Sequence, residues 1–217
     1  MVTIMTLPDI IGWEEVTFKP IRPRWTERME GRRTETQIHA TSWWVARYVP
    51  GYLSWRDMGI MDAFLVSAGD DGEVFLGYDV FRPRPILEDK GKPLSGVRAG
   101  GGVFDGKAQI SSIIDSRTVR VSGLPAGFRL SRGDYVEFRN GDQYSLHLIV
   151  ADVVASSGGI ATLSIKFGLD TQNFPSTSIV NFEKPSCLMQ IDAGSNDGSK
   201  SWKSRRPAFS ATEVFIS

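Results

Sequence analysis

Residues 129–169 read RLSRGDYVEFRNGDQYSLHLIVADVVASSGGIATLSIKFGL. The strand-like segments within this stretch are 135–138, 146–154 and 160–167. Asn140, Gly141 and Asp142 separate the first two, and asparagine and glycine tolerate the positive φ that tight hairpin turns need. In the third segment apolar residues alternate with polar ones, the pattern of a strand with one buried face. The stretch therefore predicts a small antiparallel β-barrel or sandwich.

Upstream of this stretch, the sequence predicts one short helix among strands. Ser54 followed by Asp57 is typical of a capping box at a helix start. The apolar stripe that follows at helical spacing comprises Met58, Met61, Leu65 and Ala68. Residues 69–72, rich in glycine and aspartate, predict the helix end. Residues 37–49 read as one long strand with aromatic residues on both faces, which indicates that both faces are covered.

Two glycine-rich stretches divide the chain. Residues 82–102 hold prolines and glycines that argue against regular structure over most of their length, and residues 194–200 form a second loop. The strand-like residues after the second loop need a partner sheet. We therefore predict a mainly β protein, with a β-sandwich domain carrying one short helix at 1–107 plus 193–217. A small β-barrel is inserted at 108–192, and an oligonucleotide/oligosaccharide-binding-like fold is one candidate for it.

Charge and composition argue against several protein classes. The chain carries 25 basic and 25 acidic side chains, whereas a dedicated nucleic-acid binder shows a basic excess. Cys187 is the only cysteine, so the chain has no internal disulfide and no cysteine metal cluster. No apolar run reaches membrane-spanning length, and the first residues lack the pattern of a signal peptide. We expect a protein without membrane insertion that is made and assembled in the cytoplasm.

Two motifs resemble ligand-binding loops but lack key residues. Residues 101–107 match the G-x-x-x-x-G-K pattern of a phosphate loop, yet Ala108 follows where a hydroxyl side chain would hold magnesium. Residues 192–198 resemble a calcium loop, but Asp197 and Lys203 stand where an EF-hand requires glycine and glutamate. An ordinary loop or turn is favoured for both, so we predict no cofactor and no metal.

The titratable residues form no recognisable catalytic set. His39 and His147 lie in strand-like segments without a neighbouring nucleophile, base or ligand in sequence. Asp134, Glu137 and Asp142 could supply the carboxylate pair of a glycosidase. However, Asp134 stands at a turn, and Glu137 is expected to face solvent on its strand. Turn and strand roles are favoured, so we predict no catalytic residues and no enzymatic activity.

The spacing of residues in 130–169 resembles that of a known family. Three patterns occur here in the order found in the C-terminal half of distal tail proteins of long-tailed bacteriophages. They are LxxGDxVxF, a hydrophobic-AD-V-A segment and GxAxLxI-x-x-GL. Four further features fit the same family. They are Trp43 and Trp44 in an early strand, the predicted helix, FLGYDVF at 75–81 and AFSATEVF at 208–215. The resemblance spans roughly residues 25–215.

The resemblance implies a structural virion protein of the phage tail tip. In that family a β-sandwich belt domain forms a hexameric ring, and a second β-barrel projects outward from it. The ring joins the tail-tube protein on one side to the tail hub or baseplate protein on the other. Tape-measure protein or genomic DNA occupies its lumen transiently, and DNA leaves through it.

Subunit contacts of such a ring would involve the arginine-rich N-terminal region, where arginines alternate with glutamates. Mixed charges favour a salt-bridged protein contact over a nucleic-acid groove. The predicted subunit-interface residues are Trp25, Arg28, Arg32, Arg33, Trp43 and Trp44. The alternatives that stay open are a tail-tube or another minor tail-tip protein, and a host-glycan-binding module built on the barrel. A cell-wall hydrolase is the least favoured alternative.

Overall fold

A computed structural model describes residues 4–10, 12–31, 33–38, 40–68, 73–196 and 206–216, and strands dominate it. The elements of the first part of the chain are β1 (Ile4–Thr6), β2 (Trp13–Ile21), β3 (Arg24–Arg28), β4 (Thr34–Ile38), β5 (Trp43–Pro50), α1 (Trp55–Ser67) and β6 (Val74–Gly77). The elements of the middle part are β7 (Gly96–Val97), β8 (Val103–Phe104), β9 (Lys107–Asp115), β10 (Thr118–Ser122), β11 (Arg129–Leu130), β12 (Tyr135–Asn140), β13 (Gln143–Ile149), β14 (Val153–Val154), β15 (Ala161–Lys166) and β16 (Ile179–Asn181). The last strands are β17 (Cys187–Ile191) and β18 (Phe209–Glu213). The prediction of a mainly β fold with a short helix is confirmed.

The chain forms two compact units, and the second interrupts the first. The first unit comprises Met1–Leu76 and Met189–Val214, and the second comprises Gly77–Leu188 and Phe215–Ser217. The insertion thus begins well before the predicted boundary at residue 107 and ends shortly before the predicted boundary at residue 192. The early start has a physical cause, because residues 82–102 are bound to the barrel.

Polar side chains tie the segment 82–102 to the second unit. The Arg84 guanidinium contacts Glu183 Oε1 at 2.7 Å, and the other carboxylate oxygen of Glu183 accepts the Leu94 N–H at 2.8 Å. Asp134 Oδ1 accepts the Ile86 N–H at 3.0 Å. The prediction that most of this segment lacks regular structure is confirmed, because β7 is its only strand, but the segment is anchored to the second unit by these contacts. Proline and glycine do prevent long strands here, but they do not prevent anchoring by side chains.

Replacing Arg84 with alanine is expected to release this segment. The Arg84 side chain is largely buried, and its loss leaves the Glu183 carboxylate without its charge partner. Trypsin should then cut after the exposed Lys90 several-fold faster than in the wild type, as followed by mass spectrometry. Arg120→Ala, which removes an exposed arginine of β10, serves as the control. Equal cleavage rates in both variants would contradict the anchoring role.

A six-stranded sheet with strand order β1-β6-β17-β18-β5-β2 forms the framework of the first unit. On β5, Trp44, Ala46 and Tyr48 are buried, whereas Trp43, Val45 and Val49 of the other face are half-buried and Arg47 is exposed. The helix α1 packs on this sheet through Phe64, whose ring centroid lies 5.3 Å from that of Phe75 and 5.9 Å from that of Phe209. The described part of this unit therefore pairs a sheet with a helix, whereas the predicted β-sandwich has two packed sheets.

The start of α1 confirms the predicted capping residues. Ser54 Oγ accepts the Asp57 N–H at 3.1 Å and donates to the Asp57 carboxylate at 2.7 Å. The buried side of α1 includes Met58, Met61 and Leu65, three members of the predicted stripe. The predicted helix end at 69–72 lies outside the described residues.

The predicted single strand at 37–49 is wrong, because the structure contains two strands there. β5 pairs with β2, whereas β4 pairs with β3, and the register changes from Ile21↔Trp43 to Arg24↔Ile38. Pro23 lies in the two-residue connection between β2 and β3. Proline has no N–H to donate, so the ladder is interrupted at this point.

The second unit contains a closed antiparallel barrel with strand order β10-β15-β13-β12-β16-β9. It has six strands, one more than an oligonucleotide/oligosaccharide-binding fold. The predicted turn between β12 and β13 is confirmed at Gly141, with φ +59°. The predicted strand 146–154 is wrong in its second half, because β13 ends at Ile149. Beyond it, the Asp152 carboxylate accepts the Arg132 N–H at 2.8 Å, and β14 pairs with β11 instead.

Candidate interaction surface

The structure separates the predicted interface residues into exposed and buried groups. Trp25 and Arg28 lie on β3 and are exposed, as is Arg33 just before β4. Trp43 is half-buried at the start of β5, and Trp44 is only 3% exposed. Arg32 lies outside the described residues.

Trp44 belongs to the core of its own protomer. Its ring stacks on Phe18 with centroids 5.2 Å apart, and Glu213 Oε2 accepts its backbone N–H at 2.8 Å. β5 lies between β2 and β18 in the sheet, so both of its edges are paired inside the unit. The Trp44 side chain is therefore unavailable for a subunit contact, contrary to the expectation from the sequence.

The exposed residues belong to a two-stranded hairpin that we call the arm, residues 24–38. Among the described residues, its strands β3 and β4 pair only with each other, from Arg24↔Ile38 to Arg28↔Thr34. All five residues of β3 and four of the five of β4 are exposed, so solvent reaches both faces. Trp25 is 65% and Ile38 79% exposed. An isolated two-stranded hairpin is marginally stable at best in water, so the arm is suited to gain stability from a partner.

The pairing register gives the two faces of the arm opposite charge. Directly opposed residues of an antiparallel pair share a face. The acidic face carries Trp25, Glu27, Glu35 and Gln37. The basic face carries Arg24, Thr26, Arg28, Thr34, Thr36 and Ile38. A contact of 3.4 Å between the hydroxyls of Thr26 and Thr36 agrees with this assignment.

Like charges meet on the acidic face, because Glu27 lies directly opposite Glu35. Such pairs destabilise a hairpin. Arg33 approaches Glu35 at 3.5 Å, but both side chains are exposed, and such pairs contribute little. Within the described part of the chain, Glu27 has no ion-pair partner. The acidic face therefore favours contact with a positively charged surface.

A cavity of about 260 Å³ lies in the second unit, slightly below the size range of common ligand sites. Lys90, Lys92 and Pro125 contribute to its wall, together with Phe104 and Phe128. Both phenylalanine rings are buried, with 1% and 5% exposure, and they pack against each other at 5.2 Å. They offer no open ring face for a sugar to stack on, so the cavity does not favour the glycan-binding alternative.

Asp134 and Glu137, two of the three carboxylates considered as catalytic candidates, accept N–H bonds, and Asp142 is exposed in the turn after β12. Asp134 Oδ2 accepts the Ser131 N–H at 2.7 Å in the turn before β12, in agreement with the turn role favoured for it. Burial raises the pKa of Asp134, although backbone N–H groups oppose this effect. The expected solvent exposure of Glu137 is wrong. Its side chain is buried, and Oε2 accepts N–H bonds from Ser186 at 2.8 Å and Asn181 at 3.1 Å.

Among the described residues of the barrel, burial strongly shifts the pKa values of Glu137 and His147. Burial raises the pKa of Glu137 to about 7 and lowers the pKa of His147 to about 4. The His147 ring contacts Ser145 Oγ at 2.8 Å and the Phe167 carbonyl at 3.1 Å. The Ser145 hydroxyl is a neighbour that was not predicted for His147. The imidazole is only 3% exposed, so His147 is a packed strand residue, as favoured from the sequence. His39 lies outside the described residues.

The motifs that resemble ligand loops have ordinary local structures. Residues 103–107 form β8 and the turn into β9, so a strand follows the Lys107 position where a phosphate loop has a helix. Asp192 Oδ1 accepts the hydroxyl of Thr212 at 2.7 Å, while Asp197 lies outside the described residues. Among the residues with described positions, no group of three potential metal ligands occurs. No helix in the described ranges is long and apolar enough to span a membrane.

The arm thus presents two exposed faces of opposite charge, and the alternating charges at 24–28 are the sequence signal that could have revealed these faces. Comparison with known proteins finds no matching family model and no matching curated protein.

Proposed function

We propose that the chain is a structural subunit of a bacteriophage tail tip, a distal tail protein that forms a hexameric ring. In this proposal the ring joins the tail-tube protein to the tail hub or baseplate protein, and tape-measure protein or DNA occupies its lumen transiently. The protein then belongs to the virion and has no catalytic role. The resemblance at 130–169 supports the proposal, and so does a barrel inserted into a sheet-based unit.

The exposed arm is the observation that carries the proposal. A closed ring requires head-to-tail contacts, in which two different patches of each subunit meet. The arm offers such a patch, with exposed aromatic and aliphatic residues beside charged ones. Obligate interfaces of this kind bury upwards of about 2,000 Å².

The purified protein is expected to form closed six-membered rings, visible by negative-stain imaging and mass photometry. Replacing residues 24–38 with a short Gly-Ser linker should give a folded monomer, because both faces of the arm are exposed and its loss leaves the sheet intact. Far-ultraviolet circular dichroism checks that the fold is retained. A wild-type monomer or two-fold dimer would refute the ring. A stacked polymer would indicate the tail-tube alternative, and a monomer with glycan affinity would indicate the binding module.

A further inference from the structure

We infer that the arm binds a second copy of this chain, with its acidic face against the basic face of the neighbouring arm. The inference rests on the proposed ring and specifies the contact that builds it. The acidic face presents Glu27 and Glu35, and the basic face presents Arg24 and Arg28. Each arm therefore carries both halves of a complementary pair.

The geometry of the hairpin leaves the acidic face and the basic face accessible at the same time. Side chains of successive strand residues point to opposite faces, and the residues of both faces are exposed apart from the partly covered Glu35. Stacking one arm on the next would place the guanidinium groups of Arg24 and Arg28 against the Glu27 and Glu35 carboxylates. This arrangement relieves the unfavourable like-charge pair, because the two carboxylates then share a positive surface.

The contact also covers apolar surface. Trp25 lies on the acidic face and Ile38 on the basic face, and both are mostly exposed. In the stacked arrangement the Trp25 and Ile38 side chains contact a neighbouring arm instead of water, which stabilises the contact. Since the acidic face of one copy binds the basic face of the next, the contact is head-to-tail and leaves both ends free to bind further copies. It can therefore close into a ring.

Charge reversal tests this contact. The first variant, Glu27→Lys/Glu35→Lys, makes both faces basic, and the second, Arg24→Glu/Arg28→Glu, makes both faces acidic. Each alone places like charges together, so the protein concentration at half-assembly, measured by mass photometry, should rise roughly 100-fold or more. An equimolar mixture should recover rings in which the two variants alternate. The variant with all four reversals should assemble alone. Added salt should weaken wild-type assembly, because it screens exposed charges.

Asp142→Lys is the control, because it changes the charge of an exposed turn in the second unit. It should assemble as the wild type does. The inference fails if both double variants assemble normally, or if the mixture and the quadruple variant do not recover while circular dichroism shows folded proteins. The proposed function would survive that outcome as long as the wild type forms rings. If the wild type forms none, the proposed function fails as well.

Discussion

Replacing Trp44 with alanine is expected to lower the free energy of unfolding of the first unit by about 3–5 kcal/mol. The Trp44 side chain is 3% exposed and stacks on Phe18 at 5.2 Å, so the substitution leaves a cavity next to a core aromatic ring. Natural domains are stable by only about 5–15 kcal/mol. The variant should therefore unfold at a much lower urea concentration, as measured by circular dichroism.

Trp25→Ala is the matched control, because it removes the same side chain from a position that is 65% exposed. It should change the stability of the protomer by no more than about 0.5 kcal/mol, while weakening assembly in mass photometry. If the two variants were equally destabilised, the distinction between a core tryptophan and an arm tryptophan would be wrong.

Replacing Glu137 with glutamine should stabilise the barrel at high pH and have little effect at low pH. Burial raises the pKa of Glu137 to about 7, above its ordinary value of 4.5. The folded state therefore holds a proton that the unfolded state releases. The stabilisation from this proton is fully present below pH 4.5 and is lost as the pH rises through 7. Glutamine stays neutral, and its oxygen can accept the same N–H bonds from Ser186 and Asn181.

At pH 8 the Glu137→Gln variant should be more stable than the wild type, by up to about 3 kcal/mol. Urea unfolding between pH 4 and pH 8 measures the difference, and a difference that does not change with pH would contradict the buried ionisation. His147 has the opposite effect on how the free energy of unfolding depends on pH. Because its pKa is lowered from 6.5 to about 4, its contribution is present above pH 6.5 and is lost as the pH falls through 4. The two groups therefore oppose each other between about pH 4.5 and 6.5.

Local features of the fold could be predicted from the sequence. The capping residues Ser54 and Asp57, the glycine turn at Gly141 and the alternation along β15 depend on neighbours within a few positions. Such neighbours are visible in a single sequence. For the same reason, the turn role of Asp134 was predictable from its place before a strand.

Features that depend on distant residues could not be predicted. Glu137 is buried because Asn181 and Ser186, far along the chain, cover a strand face that alternation alone assigns to solvent. The segment 82–102 is ordered because Arg84 reaches Glu183. The opposite charges of the two arm faces follow from the pairing of β3 with β4. The prediction of one strand at 37–49 excludes this register, because β4 ends at Ile38.

The insertion of the second unit also determines when each part of the protein can fold during synthesis. The barrel is almost one continuous segment, so it can fold as soon as it leaves the ribosome. The sheet of the first unit must wait, because Tyr48 pairs its strand with that of Phe209 near the end of the chain. At ordinary translation speeds the delay is on the order of ten seconds. During that time the aromatic face of β5 lacks its neighbour β18, so a nascent chain stalled within the barrel would be prone to aggregate and to require a chaperone.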